Sequence, residues 1–99
     1  MAIKTRADCV EQIVGYIGNL NQIVKAAKDS ISEGDFVSSV DCIHKFYTAF
    51  GTISAAIIMF RGIITDEEII KYHSTLNNIQ KEFVEDTVKR AKKVRCFKE

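Results

Sequence analysis

The sequence predicts an all-α fold, an antiparallel up-down-up bundle of three long helices at about residues 6–32, 35–61 and 65–95. Three features carry that prediction. The 99 residues contain no proline and only five glycines, whereas a β-sandwich or barrel of this size depends on many Gly/Pro turns. Apolar residues recur at alternating three- and four-residue spacing over long runs, which is the helical period. The two interruptions, Ser32-Glu33-Gly34-Asp35 and Gly62-Ile63-Ile64-Thr65, are short and carry helix-end chemistry. Such short links make consecutive helices antiparallel neighbours. A chain this long supports one core, so residues 1–99 are read as a single domain.

Helix 1 is placed by Val10, Ile13, Ile17, Leu20, Val24, Ala27 and Ile31, which keep one stripe on one side. Val14 and Ile23 widen it to the breadth of a globular bundle helix. Gly15 and Gly18 fall opposite the stripe. They are either tolerated surface glycines, each costing about 1 kcal/mol relative to alanine, or a smooth patch where another chain approaches. Gly34 then closes the helix in the left-handed conformation, and Asp35 caps the next.

Helix 2 carries Phe36, Val40, Ile43, Tyr47, Phe50 and Ile57, with Val37 or Ile58, on and beside one face, and Phe46, Ile53 and Phe60 extend it to one side. Ser38, Asp41, Lys45, Thr48 and Thr52 lie opposite, so the first two thirds are amphipathic. After Thr52, Ala55, Ala56 and Met59 occupy what should be the polar side, and Ile53–Phe60 is apolar around nearly its whole circumference. A helix of that kind wants cover on several sides.

Gly62 breaks helix 2, and Thr65-Asp66-Glu67-Glu68 forms a capping box for helix 3, with Ile64 and Ile69 as a hydrophobic staple. The acidic first turn suits the helix dipole. Ile69, Leu76, Ile79, Phe83, Val84, Ala91 and Val94 make the apolar side of helix 3. His73, Gln80 and Thr87, spaced by seven, form a polar line near the middle of it. Such a layer fixes register in a bundle when its groups are paired.

Composition narrows function more than it specifies it. With 46% apolar and 27% charged residues the chain is globular. Net charge is +1, yet it is uneven. Residues 1–88 hold 8 basic and 12 acidic side chains, a balance of −4, and residues 89–99 hold 6 basic and 1 acidic, a balance of +5. The basic end, Lys89, Arg90, Lys92, Lys93, Arg95 and Lys98, is the candidate contact for an anion or nucleic acid, and Phe97 is able to stack on a base. Cations at a helix C-terminus also complement the dipole without any partner.

Cys9, Cys42 and Cys96 show neither CxxC nor zinc-ligand spacing, and they are expected to be free thiols of a reducing cytosol. The first two read as small apolar fillers; Cys96 sits among cations that favour its thiolate. The N-terminus lacks the apolar core of a signal peptide. The longest apolar run, Ile53–Ile64, is short of the ~20 residues of a membrane span. The expectation is therefore a cytoplasmic protein with no membrane partner. There is no glycine-rich phosphate loop, GxSxG or HExxH, so neither catalytic residues nor a cofactor or metal is assigned.

The Gly34-Asp35-Phe36 junction between two helices, followed by a histidine early in the third, superficially resembles the three-helix phosphocarrier subunits of sugar phosphotransferase systems. The resemblance implies a histidine-centred phosphocarrier role for His73. That family carries a second histidine and acidic neighbours after the phospho-acceptor, whereas Ser74-Thr75-Leu76-Asn77-Asn78 follow here. The leading expectation is a non-enzymatic helical interaction protein whose bundle is completed by homo-oligomerisation, with a second copy or another helical protein as partner. Ala55, Ala56, Ile58 and Met59, with Gly15 and Gly18, are the candidate interface, because soluble monomers avoid an apolar patch of that size.

Overall fold

The computed structural model describes residues 5–94. It is an all-α bundle of three helices, α1 (Arg6–Ser32), α2 (Phe36–Met59) and α3 (Asp66–Val94). Arg6 at the start of α1 pairs with Glu68 at the start of α3, and Arg90 near the end of α3 donates to Ser32 at the end of α1. These two ties fix α1 and α3 as parallel and α2 as antiparallel to both.

The helix ends follow local chemistry. Thr5 and Asp8 form a reciprocal capping box on α1, although Asp replaces the usual Glu or Gln at its third position. At the other end Gly34 has φ 77°. The Asp35 N–H donates to the Ser30 carbonyl and the Gly34 N–H to that of Ile31, so a Schellman motif satisfies two orphan carbonyls. The Asp35 carboxylate accepts from the Ser38 N–H to cap α2. Thr65 and Glu68 make the second reciprocal box, at 2.9 and 3.1 Å.

α2 ends at Met59, two residues before the expected Arg61. The Ile63 and Ile64 N–H groups both donate to the Phe60 carbonyl, and Gly62 takes φ 95°. That tight turn drives Ile64 into the core, where Ile69 also packs.

The core runs along one seven-residue line per helix: Ile13, Leu20 and Ala27 on α1, Phe46, Ile53 and Phe60 on α2, and Leu76 and Phe83 on α3. Cys9 lies fully inside it. Phe46 stacks on Phe83 with ring centroids 4.1 Å apart, joining α2 to α3 across the centre. Ser39 is the buried polar residue of α2, and its hydroxyl donates to the Asp35 carbonyl.

Three expectations about faces are corrected; on α3, Val84, expected on the apolar side, is 41% exposed. Val14 does not widen the α1 stripe; it is 56% exposed, because the buried face turns toward Cys9, Tyr16 and Ile23. On α2 the rotation is larger. Phe36, Val37, Val40, Tyr47 and Ile58, expected on or beside the core face, are exposed, while Phe46, Ile53, Ile57 and Phe60 are buried. Burying Phe46 against Phe83 and closing the tight turn on Phe60 set that orientation.

The molecule is flattened, 52 × 25 × 16 Å. α1 is the shared neighbour: it packs most extensively on α2 and less on α3, and α2 and α3 meet least.

Candidate functional site

The rotation of α2 creates the main surface feature. At about 100° per residue, Phe36, Val40, Tyr47 and Ile58 fall within about 40° of one another. They stand roughly a quarter turn from the Phe46–Ile53–Ile57 line. All four are exposed, Tyr47 by 44% and Ile58 by 64%. On α3, Ile70, Val84 and Val88 cluster similarly and are also exposed, Ile70 by 69%.

These two stripes border the same seam. α2 turns its Thr48–Thr52 flank toward Tyr16 and Ile23 of α1, so the Phe36–Ile58 stripe is on the opposite flank, toward α3. α3 reaches α1 through Glu68 and Arg90, which leaves Ile70 and Val84 on the flank toward α2. Summed along the length of both helices, the seven side chains expose on the order of 600 Å². A monomer's largest apolar patch is typically about 300–600 Å², and one partner of a standard interface buries about 800 Å². Met59, 77% exposed, falls with Thr48 and Thr52 on the other flank of α2, and Val37, also 77% exposed, falls between the two flanks.

The expected interface residues divide. Ala55, Ile58 and Met59 are exposed and Ala56 is half-buried, with Ala56 packed against the core. Gly15 and Gly18 are exposed on the outward side of α1, away from the seam. A Cβ at either position would meet nothing within 4 Å, so no close approach within the chain requires them.

His73, Gln80 and Thr87 are half-buried. The core line of α3 passes through Leu76 and Phe83, so the polar residues lie on its flank toward the seam and not at mid-face as expected. Tyr72, unremarked in the sequence, packs on the core in their stead. Among the described residues no buried side-chain nitrogen or oxygen lacks a partner, and no group of three His, Cys, Asp or Glu side chains gathers as a cation site.

The basic end is only partly engaged within the fold. Arg90 Nε donates to Asp86 at 2.7 Å and its Nη1 to Ser32 at 2.6 Å. Lys89 and Lys93 line the same hollow of about 300 Å³ beside Arg90, and Lys92 is exposed. Arg95, Cys96 and Lys98 lie outside the described residues. Cys9 and Cys42 are free thiols, the first buried.

Of the three helices α2 is long and apolar enough to cross a membrane by length and composition, which the apolar run from Ile53 alone does not suggest. Its length comes from the half-apolar turns before Ile53. Comparison with protein-family models, curated proteins and solved structures finds no match to this chain.

Proposed function

We infer that this protein acts by self-association through the α2–α3 seam, with a second copy of the chain as partner and no catalytic role. The observation that supports the reading is the exposed double stripe of Tyr47, Val40 and Ile58 on α2 with Ile70 and Val84 on α3. Its summed exposure reaches the size of the biggest apolar patch a soluble monomer normally shows. A two-fold dimer laying this seam on itself uses one self-complementary patch twice. It also covers Ile58, which α1 and α3 leave bare.

Light scattering on the full chain at micromolar concentration tests it. A dimer is expected, and Ile58→Lys is expected to convert it to monomer with the helix content kept. A wild-type monomer, or a variant of unchanged mass, overturns the proposal. The proposed location is the cytoplasm, with the second copy instead of lipid covering α2. Retention of the chain in alkali-washed membranes contradicts that location.

A second reading rests on Lys89, Arg90 and Lys93 sharing one hollow at the end of α3. Clustered cations of this kind bind nucleic-acid phosphate with strong salt dependence. Binding that weakens steeply with salt and is lost on truncation after Val88 supports it. No binding at low salt ends it.

A further inference from the structure

Between α1 and α2, on the flank of α2 away from the seam, lies an open hollow of about 410 Å³. It exists because α2 presents short side chains there, Thr48, Ala49 and Thr52, opposite Tyr16 and Ile23 of α1. The volume falls in the lower part of the ~300–1,000 Å³ range of small-molecule sites, which combine an apolar lining with a few polar groups. Thr52 spends its hydroxyl proton on the Thr48 carbonyl at 3.0 Å, whereas Tyr16 has capacity to spare. Tyr16 accepts a hydrogen bond from Gln12 at 2.7 Å and keeps its own hydroxyl proton to donate.

Charge complementarity selects the ligand. Lys45 lines the hollow, and no carboxylate does. One ammonium proton is directed to Asp41 at 3.0 Å, one helical turn away, and an ammonium has two more. Tyr16 supplies a ring edge or face that favours an aromatic neighbour.

We propose that this α1–α2 hollow binds a small amphipathic carboxylate with an aromatic body, its head on Lys45 and its ring against Tyr16 and Ala49. The site is independent of the self-association surface. The test is a titration of the isotopically labelled full chain with 2-naphthoate, and in parallel with neutral 2-naphthol, followed by amide chemical shifts. Saturable shifts are expected at Asn19, Ala49 and Thr52, with Ile58 and Val84 unmoved. Lys45→Gln is expected to weaken 2-naphthoate about three- to fivefold, the scale of an exposed ion pair, and to leave 2-naphthol unchanged. Thr48→Trp fills the hollow from an exposed position and is expected to abolish binding of both; Thr52→Phe does the same should the first variant lose its fold. Three results each overturn the proposal: no saturable shift, shifts on the seam instead, or a 2-naphthoate affinity indifferent to Lys45→Gln and to the blocking variants.

Discussion

Phe46 and Phe83 meet face to face at the centre of the bundle, one fully buried and the other 3% exposed. Removing a ring from such a site loses both its transfer free energy and the contacts around the cavity it leaves. Phe46→Ala is expected to cost about 3–5 kcal/mol in urea unfolding. Glu68 acts differently, because it serves two partners at once. Its carboxylate accepts from the Thr65 backbone N–H and from Arg6, and these hold its pKa below the ordinary 4.5. Asp35 is held below 3.8 by the Ser38 N–H.

Both carboxyls therefore bind protons less readily folded than unfolded. Their contribution is complete above those ordinary values and is lost as pH falls through the depressed ones. Urea midpoints should decline below about pH 5. Glu68→Gln and Asp35→Asn should each make that decline shallower, and an unchanged pH profile would show that the caps do not set acid stability. Asp35, Gly34 and the Thr65–Glu68 box were legible in the sequence because capping chemistry is local. The Thr5–Asp8 box was missed because its third position carries the less usual aspartate.

At the scale of the element, α2 is where sequence and structure part. Its two apolar stripes, one through Phe36, Val40 and Tyr47 and one through Phe46, Ile53 and Phe60, compete for the core. The first is joined by Ile43 and Phe50 and looks the richer in sequence. The second is buried, although it includes Ser39, whose hydroxyl bonds its own helix backbone and so tolerates the interior. Periodicity alone cannot rank two stripes a quarter turn apart.

On α1 the same scale gives a direct test of the glycines. Since a Cβ at Gly15 or Gly18 meets nothing, Gly15→Ala and Gly18→Ala should each raise the unfolding free energy by up to about 1 kcal/mol. Both should leave the solution mass unchanged. A fall in mass would place these glycines at an interface after all. Thr65→Ala should cost about 1 kcal/mol through loss of the α3 cap.

For the whole molecule, flattening and the thin contact between α2 and α3 are the consequential facts. They leave the seam open and set the proposed dimer there, with Ile58 in it, instead of on Ala55, Met59 and the glycines. Val84→Lys, in mid-seam and 41% exposed, is expected to lower the self-association constant at least tenfold, about 1.4 kcal/mol, in sedimentation equilibrium. It should do so without loss of monomer stability, since its site faces solvent in the single chain. An unaltered constant would move the interface elsewhere.

The sequence by itself determined that there are three helices, where each begins and ends to within two residues, and that α2 holds more apolar surface than two neighbours cover. These are consequences of local backbone chemistry and of composition. Only the tertiary structure decided which face of α2 turns inward, that His73, Gln80 and Thr87 flank the core, and that no close approach within the chain requires Gly15 or Gly18. The physical reason is that facing depends on what lies opposite. Phe83 from α3 and the Phe60 turn select one stripe of α2, and neither is visible in the spacing of α2 itself.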